Sequence, residues 1–236
     1  MGLSASRSLT RSVLDIACGN LRFEAFLANV YPHIDWSFFA VDNCEPLVAS
    51  GQEDIAKKVH FTCEDIVSNL LEGLPAAEPA NIPALAAATP FDLVVSFGFL
   101  HHIPSFDLRR QFLLEALSQV KPGGYLVVSF WQFLNDPRLA AKAATVTAEG
   151  RAAHCLPTFQ ENDFLLGWQH AEGTYRFCHH TPEDEIDALL AAIREPSAPS
   201  TSGCAPPAPL PFREIARFSA DGKLGNLNRY LILQRL

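Results

Sequence analysis

Apolar residues along the first half of the chain fall into short β-type runs separated by stretches with helical spacing. Residues 12–18 (SVLDIAC), 36–42 (WSFFAVD), 59–65 (VHFTCED), 91–98 (FDLVVSFG) and 125–131 read as strands. The run at 91–98 is nearly continuous in apolar residues, as expected of a strand covered on both faces. Between the first two runs, Phe23, Phe26, Leu27 and Val30 recur at i, i+3, i+4 and i+7, which predicts a helix with that face inward. Pro46 can open a short helix at its first turn. Residues 107–120 read as a helix with Leu113, Leu117 and Val120 on one face, stopped by Lys121-Pro122-Gly123-Gly124. Alternation of this kind predicts a parallel sheet with right-handed crossovers.

The pattern changes after Trp131. Residues 132–180 show no clear strand and are aromatic, His-rich or helical. A cleaner helix follows, with Thr181 read as N-cap, Pro182 at its first position and Asp184 at the capping-box position. Its apolar face is Ile186, Leu189, Leu190 and Ile193. Two more β-like runs, 212–219 and 228–234, flank the loop Asp221-Gly-Lys-Leu-Gly225 and predict an antiparallel hairpin. Residues 72–90 (rich in Ala and Pro) and 195–211 (low complexity) read as loose excursions of one domain spanning 1–236.

Length and charge narrow the picture. A chain of 236 residues can bury the core of one α/β domain. Its formal net charge of -8 repels a phosphate backbone, so a nucleic-acid substrate would need a local basic patch or a basic partner. None of the six cysteines forms a C-x-x-C pair, and several lie in or beside core strands as small hydrophobes, which fits a reducing cytosol. No apolar run is long enough to span a membrane and no secretory leader is seen, so a cytoplasmic protein is expected. Met1-Gly2-Leu3-Ser4-Ala5-Ser6 matches the loose N-myristoylation pattern, which chance also produces. His154, Cys155, Cys178, His179 and His180 fit no standard zinc spacing, and no metal is expected.

The informative residues lie at the carboxyl ends of the first four strands, where open parallel sheets bind ligands. Strand one ends in Asp15-Ile-Ala17-Cys18-Gly19-Asn20 and leads into a helix. Small residues at 17 and 19 allow close approach of the backbone, and the helix start offers unpaired N–H groups to a carboxylate. Strand two ends in Asp42, with Asn43 beside it, and a carboxylate there can accept from both hydroxyls of a ribose. Strand three ends in Glu64-Asp65-Ile66, where a carboxylate can meet an exocyclic amine while Ile66 covers a purine face. Together these describe a pocket for an adenosine with a charged tail. A dinucleotide fingerprint would need glycines at 17, 19 and 22, where the chain has Ala17, Gly19 and Arg22, which argues against a nicotinamide-dependent reductase.

These residues, with Phe91-Asp-Leu-Val-Val-Ser96, His101-His-Ile-Pro104 and Lys121-Pro-Gly-Gly124, resemble the successive motifs of class I S-adenosylmethionine (SAM) methyltransferases over residues 12–131. The resemblance implies a Rossmann-like α/β fold: a mostly parallel seven-stranded sheet closed by a C-terminal antiparallel hairpin. It implies SAM as cofactor, with Asp15, Ala17, Cys18 and Gly19 around the methionine moiety. Asp42 with Asn43 would hold the ribose, Asp65 with Ile66 the adenine, and Ser96, Phe97 and Gly98 the floor under the sulfonium. Leu21 stands where the family usually has glycine, and about a dozen residues precede strand one where the family usually has one or two helices.

The acceptor side is less specific. His101 and His102 are the candidate bases, histidine titrating near neutrality. Trp131, Trp168, Arg176, Asn226, Asn228 and Arg229 are candidates for acceptor contacts, with residues 132–180 as the insertion that carries that side. Segments 164–168, 175–180 and 226–233 faintly resemble tRNA wobble-uridine carboxymethyl methyltransferases, which generally require a small activating partner. The expected acceptor is therefore an oxygen or nitrogen of a small molecule or of a modified tRNA uridine. The competing class is a non-catalytic SAM-fold partner of another methyltransferase, motivated by Leu21 and the short N-terminal segment.

Overall fold

A computed structural model of the protein describes residues 10–76, 90–154, 159–167, 173–195 and 210–236. Its strands are β1 (Thr10–Ile16), β2 (Asp35–Asp42), β3 (Val59–Cys63), β4 (Phe91–Ser96), β5 (Val120–Trp131), β6 (Asp163–Gly167), β7 (Tyr175–His179), β8 (Phe212–Ala220) and β9 (Asn228–Arg235). Seven of them form one sheet in the order β3-β2-β1-β4-β5-β9-β8. β1 to β5 run parallel, and β9 is antiparallel to both neighbours. The strand order reverses between β1 and β4, and the carboxyl ends of such a strand pair are where open sheets form a ligand crevice. The closing hairpin falls where the sequence placed it.

The helices are α1 (Arg22–Val30), α2 (Glu45–Ala49), α3 (Glu53–Ala56), α4 (Ile66–Leu71), α5 (Phe106–Ser118), α6 (Pro137–His154) and α7 (Glu183–Ala192). One face of the sheet is covered throughout by α4, α5 and α7, which bury Leu14, Val94, Leu126, Val128, Leu231 and Leu233. The other face is covered over β1 to β3 by α1, α2 and α3. Over β4, β5, β9 and β8 that same face is open among the described residues. A shallow groove of about 810 Å³ lies there, floored by Leu93, Val127 and Ile232 and rimmed by Trp36, Tyr125 and Ile215.

This half-covered sheet corrects the reading of α1. The helix buries Glu24 and Leu27, while Phe26 and Val30 are 53% and 49% exposed. Among the described residues, these two apolar side chains are left without a covering layer. Residues 121–124 form a bulge rather than a stop: Phe91 pairs with Val120 and Leu93 already with Tyr125. Gly124 is required there, since a Cβ would stand 2.7 Å from the Asp92 carbonyl oxygen. Asp92 draws the surrounding chain ends together, bound by Arg11, Lys121 and the amide of Ser12. Although its burial opposes ionisation, these partners hold its carboxyl down at about 2.

Residues 132–180 depart further from the sequence reading. β6 and β7 form a separate antiparallel pair, packed on α6 around Phe133, Ala143, Leu166 and Cys178. Each strand has only five residues, and buried His179 breaks the alternation that would have marked β7. The Thr147 hydroxyl meets the Leu165 amide at 2.9 Å. Gly150 lets helix and strand touch, a Cβ there lying 2.7 Å from Leu165. Thr181 is not the cap of α7: the N-cap is Pro182 with no side-chain bond, and the buried Thr181 hydroxyl lacks a partner.

Candidate functional site at the carboxyl edge of the sheet

The loop after β1 is tied to β2 by the amides of Ala17 and Cys18, which donate to the Val41 carbonyl at 2.8 and 3.2 Å. Ala17, Gly19 and Leu21 then take positive φ values of 65°, 59° and 60°. Only glycine adopts this conformation freely, and a side chain costs roughly 1–2 kcal/mol at each such position. Leu21 offsets that cost by burial, its side chain packing with Cys18, Ala40, Val48 and Ile55. α1 begins at this loop with no side-chain cap, so its first N–H groups remain for another acceptor.

Three carboxyl groups gather beneath the loop. Asp42 accepts from the amides of Gly19 and Cys44, each at 2.9 Å, and so holds the loop against the end of β2. Asp15 is buried on the face that meets α1, and there it meets Glu24, also fully buried. Burial first, and then the charges of Glu24 and Asp42, push the Asp15 carboxyl well above its usual range. Burial likewise pushes Glu24 up to about 7 and the Cys18 thiol upward. The sequence did not single out Glu24, because it sits inside a segment whose phenylalanines suggested a different inward face. Charged groups of one sign in so buried a place suit a ligand that brings positive charge.

The other residues expected on the cofactor side lie at the neighbouring strand ends. Asp65 caps α4, its Oδ1 accepting from the Ser68 amide at 3.0 Å, while Ile66 is buried beside it and Asn43 is exposed next to Asp42. The Ser96 hydroxyl is buried without a partner, and the Gly98 amide donates to the Ser129 hydroxyl at 2.9 Å. Phe97 joins an aromatic row that the sequence did not reveal: its ring lies 5.1 Å from Phe23 and 5.9 Å from Tyr230, which stacks on Phe218.

The residues expected to meet the acceptor begin beyond the β4 loop. His101 and His102 form a single 3-10 turn, their rings 4.0 Å apart. The His102 Nδ1–H donates to the Phe177 carbonyl at 3.1 Å, so Nε2 carries the lone pair. His101 is buried and its Nδ1 has no partner. Burial, with the nearby positive charge of Arg176, lowers both imidazoles and keeps them neutral. Trp131 lies 4.8 Å from the His101 ring, and the Arg176 guanidinium sits over Trp131 at 5.6 Å. Donor atoms of His101, His102 and Cys178 also lie within 4.8 Å of one another, but burial pushes the Cys178 thiol up to about 12 and keeps it protonated.

Other sequence candidates fall elsewhere. Asn228 pairs with Trp131 across the strands, and its side-chain amide donates to Asp221. Arg229 projects from the opposite face of β9 and pairs with Glu183. Asn226 gives its carbonyl to Asn135. Trp168, Cys155 and the myristoylation pattern lie outside the described residues.

Residues 13–124 match the family model of a methyltransferase domain. The matched stretch takes in β1 to β4 and the start of β5. Solved structures share its fold at low identity. A SAM-dependent methyltransferase from Methanosarcina mazei has 20% identity and a TM-score of 0.58, covering 96% of this chain and 93% of that one. A Pyrococcus horikoshii protein has 14% identity and a TM-score of 0.59, covering 98% and 84%. The 1,6-didemethyltoxoflavin-N1-methyltransferase of Burkholderia thailandensis, holding 1,6-didemethyltoxoflavin and S-adenosylhomocysteine, has 15% identity and a TM-score of 0.54, covering 96% and 71%. No curated protein matches the chain. Its described helices include none long and apolar enough to cross a membrane.

Proposed function

We propose that this protein is a methyltransferase that transfers the methyl of SAM to an oxygen or nitrogen of a small anionic acceptor, with His102 as the base. The observation that carries this reading is the bond from His102 Nδ1–H to the Phe177 carbonyl. It fixes the tautomer and leaves Nε2 free to take a proton, and lowering by burial keeps the ring neutral at physiological pH. Bound at the β1–β4 crevice, SAM supplies an electrophilic methyl on a sulfonium. Asp42 would hold its ribose and Asp65 with Ile66 its adenine. Arg176 and Trp131 would seat the acceptor, the first by charge and the second by its face. Positioning of this kind can supply about 7–11 kcal/mol of the acceleration.

A small acceptor fits the net charge of -8, which opposes RNA. The Burkholderia protein of the same fold binds a small heterocycle, an acceptor of the size read here. Reduced thiols at Cys18, Cys44, Cys63 and Cys178 suit a cytoplasmic setting. The test is release of S-adenosylhomocysteine by the purified chain with a panel of small phenols, carboxylates and heterocycles, beside unmodified and carboxymethylated tRNA. Turnover of a small acceptor, reduced about 100-fold in kcat by His102→Ala at unchanged SAM affinity, is the expected result. Turnover of tRNA alone, a need for an added partner, or SAM binding without any turnover would replace this reading with the tRNA or the non-catalytic one.

A further inference from the structure

One feature of the loop floor is not used by the transfer itself: Glu24 is completely buried, and among the described residues its carboxyl is met only by its own backbone amide and by one other side chain. Such a group is expensive to keep inside a protein unless something neutralises it. What it does meet is Asp15, whose carboxyl lies within hydrogen-bonding reach on β1. Two carboxyls in direct contact cannot both ionise cheaply, and a proton between them turns repulsion into a hydrogen bond. The other titratable groups acting on the pair add no positive charge. Asp42, at the end of β2, is a further acid, bound by two backbone amides, and the Cys18 thiol stays protonated by burial.

We propose that Asp15 and Glu24 form a proton-exchanging floor for the cofactor: they share one proton when the site is empty and release it when a ligand bearing an ammonium group binds above them. This rests on the SAM reading of the crevice. The exchange balances simply. A singly protonated pair and a cationic tail become a doubly ionised pair facing that cation, and one proton passes to solvent. The ammonium then supplies the charge that the proton supplied before. Glu24 is a positioning residue for this exchange, placed by α1 at the first turn after the loop.

The consequence is that affinity depends on pH through the ligand's tail. Below the pH at which the empty pair loses its proton, each unit of pH costs up to tenfold in affinity, because a proton must leave for every ligand bound. A ligand with the same adenosine and no amino-acid tail has no cause to displace the proton.

Calorimetric titration of the whole chain with SAM, S-adenosylhomocysteine and 5′-methylthioadenosine tests this, in buffers of different ionisation enthalpy from about pH 6 to 9. The two tailed ligands should release close to one proton at the acid end, with affinity rising up to tenfold per pH unit before it levels. The tail-less nucleoside should release none. Glu24→Gln keeps the shape and can donate an N–H to Asp15, so its affinity for the tailed ligands should be flat in pH and without proton release. Normal binding by the wild-type chain with no proton release overturns the proposal, as does equal release by the tail-less nucleoside. If no ligand binds at any pH, the SAM reading fails instead, and infrared spectroscopy of the ligand-free protein decides the pair by itself. A protonated-carboxyl band at neutral pH that vanishes in Glu24→Gln supports the shared proton, and its absence in the wild type rejects it.

Discussion

The two sides of the crevice are built on different plans. On the cofactor side, Asp15, Gly19, Glu24 and Asp42 come from neighbouring segments, and the shape is made by backbone: three positive φ values and a carboxylate that accepts two amides. On the acceptor side, His101, Trp131 and Arg176 come from three distant segments. They are brought together by a buried chain of charges. His179 bonds Asp163 at 2.7 Å and Glu185 at 2.8 Å, Glu185 bonds Arg109 at 2.7 Å, and Arg109 donates to the Ile103 carbonyl just after the histidine turn. A site made by local backbone geometry should survive changes that a site made by long-range charge pairing does not.

Breaking the charge chain should have the largest effect. Arg109→Ala leaves the Glu185 carboxylate buried without its cation, at a cost of about 3–5 kcal/mol in urea unfolding. The surviving folded protein should bind S-adenosylhomocysteine within about twofold of wild type, a small change by the usual additivity of distant sites. A loss under about 1 kcal/mol would mean that these charges do not hold the insertion down. On the other side, Asp42→Ala should weaken S-adenosylhomocysteine about 100-fold by calorimetry, the loss expected for hydrogen bonds to a charged group, and should cost about 1–3 kcal/mol in unfolding because the Gly19 and Cys44 amides lose their acceptor.

Leu21→Gly should destabilise by about 2 kcal/mol, because lost burial outweighs the relief of a positive φ. A gain in stability would show that Leu21 is kept for something other than packing. Raising the pH should loosen the charge chain by a fraction of the Arg109 effect, since neutral His179 still donates one hydrogen bond. Burial opposes its ionisation, but Asp163 and Glu185 raise the His179 pKa above its usual 6.5. Its stabilising share is therefore complete below about pH 6.5 and is lost as pH climbs through the folded value. The urea midpoint should fall over that range, and less steeply in His179→Gln. Ala17→Gly should change stability least, within about 0.5 kcal/mol, since relief of the positive φ is offset by the freer unfolded chain.

The same contrast explains what could be read from the sequence. β1 to β5 and the β8–β9 hairpin are announced by their apolar runs and turns, and the cofactor residues follow because they sit at strand ends in sequence order. Leu21 was visible as a departure, but not its buried role, since a left-handed leucine is known only from the backbone. Glu24 was hidden because Phe23, Phe26 and Val30 suggested an apolar inward face. That inference presumes a layer on every side of the helix, and over β4 and β5 there is none among the described residues. β6 and β7 escaped notice because each is five residues long and carries inward polar groups, which erase the period-two signal. The Asp163–His179–Glu185–Arg109 chain spans residues 109 to 185, and no local pattern reports such a pairing.

The half-covered sheet also sets where the molecule should open first. β1 and β2 are covered on both faces, whereas among the described residues β9 and the edge strand β8 rest on a single layer of helices. Amide protons of β8 and β9 should therefore exchange with solvent through sub-global opening at lower free energy than those of β1 and β2, which await complete unfolding. Such an opening would free the end of β5 at Trp131 from its partner Asn228 and leave the Asp15, Glu24 and Asp42 cluster in place. Acceptor exchange on one flank could then proceed without surrendering the adenosine held on the other.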